Sequence, residues 1–370
     1  MSFARLAAVL VLLSMMLTAC GPSAAELEAV DYTPVTQDEW PVSTPEEQGL
    51  DPDLVARLYY DASRLETAYS LLVFKNGHLV AEDYFGIGRP DLQVNIHSVT
   101  KSITSALVGL ALDEGCLTSL DQKLMDFFPE FGTRISDSRK NQITIRQMLQ
   151  MRAGFPWEES TAEGTEWLFT GFHESDLVGV PIVYDPGTDS AYSNFTAHLL
   201  GIVVARACGT DLKTFAQEHL FTPLGITPGF WQTDWDGNYL GFSDIDLSST
   251  DLARFGLMYL DGGEYDGVRI VPSDWVADSL KIYSEGTWTV RVGRNWGDNG
   301  YGYQWWSIQA GKYRYNLAWG HGGQQIALIE PLDMMIVFLA DPLHLQHGDG
   351  PWKIEKANLN LVADFVASLP

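Results

Sequence analysis

In Asn95–Thr104, "NIHSVTKSIT", a serine and a lysine stand three residues apart at the head of a segment, "SITSALVGLALDEG", that is apolar or small on nearly every helical face. That pattern predicts a helix buried all round rather than an amphipathic one. Residues i and i+3 are neighbours on a helix, so the Ser98 hydroxyl and the Lys101 amine would share one small space in its first turn. A serine is a poor nucleophile until a base takes its proton, and a lysine is such a base only where burial or other cations lower its pKa. Lys101, on an apolar helix, is placed for such lowering. The chemistry this spacing suits is attack on an acyl group. A serine at a helix start is also an ordinary cap, so the pair alone says little.

Two further clusters give the pair company. "DPGTDSAYSNFTAHLL" supplies Tyr192-Ser193-Asn194 just before another helical run, and "AWGHGGQQIALIE" supplies His321-Gly322-Gly323 just before a β-rich run. Each has a plainer use: Tyr192 as core, Asn194 as a helix cap, His321 as a residue that shapes a pocket without touching substrate. In this order, however, Ser-x-x-Lys, Tyr-x-Asn and a basic residue-x-Gly resemble the signature set of the serine β-lactamase and penicillin-binding protein superfamily. The resemblance runs from about Glu46 to the C-terminus and is strongest to class C β-lactamases and their esterase, D-aminopeptidase and 6-aminohexanoate-dimer hydrolase relatives. The phrases "ITIRQMLQMRAGF", "DPGTDSAYSN" and "YGYQWW" add to it.

The resemblance implies an acyl-enzyme on Ser98, with Lys101 and Tyr192 as general base and acid. It implies that Asn194 bonds the lysine and a substrate carbonyl, that the backbone N–H groups of Ser98 and Gln324 face the oxyanion, and that Gly322 and Gly323 let the backbone approach substrate beside His321. No metal or organic cofactor is implied. His321 stands where β-lactamases and cell-wall peptidases carry a lysine, so a constant positive charge is missing there. No Glu-x-x-x-Asn segment of the class A type lies between the first two motifs, which leaves deacylation to Tyr192 and Lys101. Trp157, Trp167 and Trp231 fall in the inserted region, as candidate walls of the site or as core.

The elements that must position these groups are legible too. Asp51 and Pro52 mark a helix start in "DPDLVARLYYDASRL", and Asn76-Gly77 centres a hairpin in "SLLVFKNGHLVAEDYFG". From Ser98 to about Leu260 the patterns are mainly helical. Short strands then return in "YGYQWWSI", "YRYNLAWG", "QQIALIEP" and "MMIVFLAD", before a last helix, "KANLNLVADFVASL". The expected fold is α/β of the α+β kind: an antiparallel sheet built from both chain ends and flanked by helices, with a mainly helical region inserted at about 100–260 and the site at the junction.

The chain has 370 residues, with 48 acidic against 23 basic side chains and a formal charge of −25, which repels nucleic acid and anionic lipid head groups and excludes nucleic acid as a partner. Residues 1–20 carry Arg5 and then an apolar run from Leu6 to Leu17 that is too short to span a bilayer, which reads as an export signal. Its end, Leu17-Thr18-Ala19-Cys20, resembles the lipobox of bacterial lipoproteins and implies a lipid anchor at Cys20, at an outer membrane or cell surface. Residues 21–45 lack periodicity and read as a flexible linker to a hydrolase domain over 46–370. Cys116 and Cys208 end two apolar helical segments; they could pair if both helices run the same way from one site. The reading is a hydrolase of a small ester or amide. Beside it stand a D,D-peptidase or β-lactamase, and a non-catalytic binder or sensor.

Overall fold

The computed structural model describes residues 21–36, 38–287, 292–343 and 350–370. The export signal and Cys20 lie outside the described residues. A sheet of eight antiparallel strands spans both ends of the chain. Its strands are β1 Ala68–Lys75, β2 His78–Tyr84, β3 Ser284–Glu285, β4 Asn299–Tyr301, β5 Trp306–Ala310, β6 Tyr313–Gly320, β7 Gln324–Ile329 and β8 Met334–Ala340. They lie in the order β2-β1-β8-β7-β6-β5-β4-β3. The first hairpin thus adds to the edge of a meander made some 250 residues later, with Phe74 opposite Met335 and Val73 opposite Ile336. Asn76 and Gly77 both take positive φ, 50° and 73°, as a two-residue turn between right-twisted strands requires.

Every residue of β7 and β8 is buried, so both faces of the sheet centre are covered. Of helices α1 Ala24–Glu28, α2 Pro52–Ser63, α3 Val99–Asp113, α4 Asn194–Cys208, α5 Ser249–Leu260 and α6 Pro351–Ser368, α2, α3, α5 and α6 supply the cover, while α1 packs on α2 and α4 on α3. Helices α2 and α6 pack on each other and reach β1 and β5, while α3 and α5 lie against β6, β7 and β8. Asp51 caps α2 through the Asp53 N–H at 3.0 Å, with Pro52 in the first helical position. Helix α3 is buried from Val99 through Ala111, as the apolar pattern requires.

The inserted region is less regular than its sequence suggests. "ITIRQMLQMRAG" yields a helix only over Ile145–Leu149, because Met151 turns to φ 55° and Gly154 to φ 95°. Cys116 and Cys208 are bridged, with Cα atoms 4.9 Å apart, so α3 and α4 do end together.

Residues 21–45 correct the expectation of a flexible linker. Ser23 and Glu26 form a capping box on α1, and Leu27 is buried. The buried Glu82 carboxylate accepts from the backbone of Val35 at 2.6 Å and of Thr36 at 2.9 Å. Trp40 stands edge-on to Phe74 at 5.0 Å and donates to Tyr265 Oη at 3.2 Å. A chain without periodicity can still be pinned by a few apolar anchors and by buried acceptors that need its N–H groups. Trp40→Ala should therefore lower the unfolding free energy by about 3 kcal/mol. Urea denaturation checks this; an unchanged midpoint would mean that the segment is a free tether after all.

Candidate active site

The turn into α3 sets the site. Asn95 Oδ1 accepts the His97 N–H at 2.8 Å, and its amide is in turn held by Asp244. His97 takes φ 47°, a left-handed conformation that a non-glycine residue holds only under constraint from its surroundings. Ser98 follows at the N-cap, yet its side chain makes no cap bond. The hydroxyl instead faces Lys101. Lys101 Nζ lies 2.8 Å from Ser98 Oγ, and Tyr192 lines the same cavity as Ser98.

Lys101 is fully buried, with Nζ also 2.7 Å from Asn194 Oδ1 and 3.1 Å from the Phe242 carbonyl. Burial pushes its amine down to about 7, against the opposing pull of Glu159, Glu158 and Asp244. The rings of Tyr192 and Phe242 flank it, with centroids 4.7 and 5.3 Å from Nζ. Burial, with Glu159, Glu158 and Glu355 adding, holds the Tyr192 phenol well above its usual range despite the opposing effect of the Ser98 side chain.

Two partner groups come from elements the motifs do not mention. Glu158 is buried and gathers Ser193 Oγ, the Asn194 N–H and the Phe195 N–H, each at 2.9 Å. This one carboxylate anchors the start of α4 and with it Asn194. On the other side, His198 and Asp234 pair at 3.0 Å in full burial, and the Gly241 N–H donates to His198 Nδ1 at 3.4 Å. Thr104 Oγ1 donates to the Gly241 carbonyl at 2.7 Å, so both faces of this residue's backbone are held one step before the Phe242 carbonyl. A Cβ on Gly241 would stand 2.7 Å from the Ala197 carbonyl oxygen, a close approach only glycine permits.

Ser98, Tyr192 and His321 line one narrow cavity of about 50 Å³ together with Glu159, Trp306, Trp319 and Glu355. The Tyr192 ring stacks on Trp306 at 5.3 Å. His321 Nδ1 lies 2.7 Å from Glu355 Oε2, whose other oxygen accepts from Trp319 Nε1 at 2.8 Å. Burial would lower the imidazole, but the hydrogen bond and charge of Glu355 outweigh it and the pKa is raised.

The remaining expected residues sit around rather than in this cavity. Asn194 faces Lys101. Gly322 and Gly323, at φ 83° and 92°, turn against α6: a Cβ on Gly323 would meet Asn358 Cβ at 2.5 Å, and Asn358 Nδ2 donates to the Gly322 carbonyl at 2.7 Å. At Gly323 the absence of a Cβ is required by packing on α6. Gln324 opens β7, with its side-chain amide exchanging two 2.9 Å bonds with the Ala340 backbone. Of the tryptophans expected as walls, Trp231 is core, while Trp157 and Trp167 pack on the core's edge. The walls are Trp306 and Trp319, from the strands.

Comparison with known proteins agrees with the geometry. A profile of the beta-lactamase family matches residues 64–340. The 6-aminohexanoate-dimer hydrolase of Paenarthrobacter ureafaciens is 27% identical over 80% of this chain and 79% of its own length. An Escherichia coli K12 protein provisionally named D-alanyl-D-alanine carboxypeptidase is 24% identical over 70% of this chain, which spans 61% of that relative. The octameric penicillin-binding protein homologue from Pyrococcus abyssi superposes with a TM-score of 0.62 at 20% identity, over 84% of this chain and 77% of that one. The chain belongs to the beta-lactamase family, and with it to a superfamily of serine hydrolases that comprises esterases, amidases, carboxypeptidases and β-lactamases.

Glu158 and Glu159 are adjacent in sequence and opposite in setting, one buried and one exposed. Glu158→Ala should lower the unfolding free energy by about 2–4 kcal/mol, because it strands buried donors, while Glu159→Ala should change it by less than about 0.5 kcal/mol. Equal midpoints in urea for the two variants would contradict the anchoring role of Glu158.

Proposed function

We propose that this member of the beta-lactamase family hydrolyses a small ester or amide through an acyl-enzyme on Ser98, with Lys101 as general base and Tyr192 as general acid. The observation that carries the reading is the set of three acceptors around Lys101 Nζ. An ammonium has three N–H donors and satisfies all three. A neutral amine has two, and Asn194 Oδ1 and the Phe242 carbonyl take both. Its lone pair is then left facing the Ser98 hydroxyl.

Ser98 Oγ attacks the substrate carbonyl carbon as its proton passes to Lys101 Nζ. The developing oxyanion faces the N-terminus of α3, with the Ser98 N–H and, by the family's pattern, the Gln324 N–H as donors. Tyr192, kept protonated by its burial, gives its proton to the leaving group and is refilled from the Lys101 ammonium. Water then repeats the sequence on the Ser98 ester, releasing the acid and restoring both groups.

The same reading places the protein outside the cytoplasm, held by a lipid on Cys20. The apolar run before Cys20 supports this, as does the Cys116–Cys208 bridge, which persists in oxidising compartments. Since residues 21–45 pack on the body, such an anchor would hold the domain close to the bilayer surface.

Incubation of the protein lacking residues 1–20 with a fluorophosphonate should give a single adduct by intact mass, and a 4-nitrophenyl ester should turn over; Ser98→Ala should lose both. A folded protein with neither adduct nor turnover would be the non-catalytic binder. The base is active when neutral, so kcat/KM should rise with pH through about 7 and then level, because Tyr192 stays protonated across the range. Lys101→Ala should reduce kcat by roughly 10²–10⁴-fold and remove that limb. An acid limb unchanged in Lys101→Ala would assign the base elsewhere.

A further inference from the structure

A buried pair that takes no part in the proposed proton transfers stands behind the acceptors of Lys101. His198 lies in the second turn of α4, and Asp234 meets its Nε2 at 3.0 Å, with neither side chain open to solvent. The Gly241 N–H points at the other ring nitrogen, Nδ1. A backbone N–H can only donate, so Nδ1 is the bare nitrogen and the ring proton is on Nε2, facing the carboxylate. Asp234 enforces that choice. Its Oδ2 takes His198 Nε2 and Asn238 Nδ2, each at 3.0 Å, and its Oδ1 takes the Asp236 and Asn238 N–H groups at 2.9 and 2.8 Å. Burial raises this carboxyl, yet the hydrogen bonds of His198 and Asn238 bring it below its usual range, so both oxygens stay acceptors. The imidazole also reaches Phe242 directly, its ring edge-on to the Phe242 ring at 6.0 Å, and Phe172 packs on both, at 5.7 and 5.4 Å. The Phe242 carbonyl, one residue beyond the Gly241 N–H, is the acceptor 3.1 Å from Lys101 Nζ.

Resting on the serine-hydrolase reading above, we propose that His198 is a positioning residue for the general base: with its tautomer fixed by Asp234, its bare Nδ1 seats the backbone whose Phe242 carbonyl orients the Lys101 amine. A neutral Lys101 has two N–H groups, and one must go to that carbonyl if the lone pair is to face Ser98. The other tautomer of His198 would set an Nδ1–H against the Gly241 N–H, two donors face to face, and push the backbone away. The carbonyl oxygen also favours the ammonium form. Its displacement would therefore lower the pKa of Lys101 while misdirecting the lone pair.

Substitutions at the two ends of the imidazole test this. His198→Asn puts an amide oxygen at the Nδ1 position, whereas His198→Gln keeps only the donor to Asp234. Asp234→Asn turns an NH2 toward two of the four donors and releases the tautomer. On a 4-nitrophenyl ester, His198→Gln and Asp234→Asn should each lower kcat about tenfold with KM changed by less than about twofold, and move the acid limb of kcat/KM down by about 0.5–1 pH unit. His198→Asn should keep the limb of the unsubstituted protein. The Lys101 Cε resonance, titrated by ¹³C NMR, should shift its midpoint in the same direction, a readout that does not need turnover. Thr104→Val removes the hydroxyl that holds the Gly241 carbonyl and should move the limb the same way, so the test stands even if a His198 variant fails to fold. A lowered kcat with both midpoints unmoved, or a His198→Asn as impaired as His198→Gln, overturns the proposal and leaves the hydrolase standing. Absence of the fluorophosphonate adduct and of turnover in the unsubstituted protein removes the hydrolase reading and the proposal with it.

Discussion

A primary amine sits fully buried at Lys101, ringed by Ser98 Oγ, Asn194 Oδ1 and the Phe242 carbonyl within 3.1 Å. Taking such a group out of water disfavours its charged form, and among the described residues no carboxylate pairs directly with it; Glu159, Glu158 and Asp244 act on it from a distance. Much of the surrounding structure can be understood as what holds this amine. Helix α3 is buried along nearly its whole length so that Lys101 is dry. Glu158 fixes Asn194, and the His198–Asp234 pair with Thr104 fixes the backbone that presents Phe242. Three acceptors from three separate parts of the chain converge on one nitrogen.

The carboxylates are kept one layer away. Glu158 spends its oxygens on α4, Asp244 on Asn95, and Glu355 on Trp319 and His321. Glu159, Glu158 and Asp244 raise the amine's pKa from a distance while burial lowers it further, and the balance puts it at about 7. Of the two acidic residues that line the cavity, Glu355 is held by Trp319 and His321, and Glu159 faces solvent.

The sequence carried the frame and the reacting groups unevenly. The Asn76-Gly77 turn, the Asp51-Pro52 helix start and the wholly apolar α3 each follow from local rules, and the structure keeps them. The three motifs were legible because their spacing is local. Glu158 was not, because it meets α4 from 36 residues away with no periodic signal to mark it. Glu355 and Trp319 come together only when α6 returns to the sheet. The stretch 21–45 looked like a tether because periodicity is the sign of regular elements, and this segment is held by Trp40 and by Glu82 without forming a long one. The packing of Gly323 on Asn358 of α6 had no mark in the sequence, because it joins the strand turn to a helix 35 residues on.

The most direct test of the account is the ionisation of Lys101 itself. Protein with ¹³C at the lysine Cε positions, assigned by comparison with Lys101→Met, can be titrated by NMR from about pH 5 to 11 around the ordinary lysine value. The account predicts that one Cε resonance titrates near 7 while the others titrate in the usual lysine range. A Lys101 resonance that moves only with the others, above about pH 10, would show the amine charged at neutrality and would contradict its role as the base.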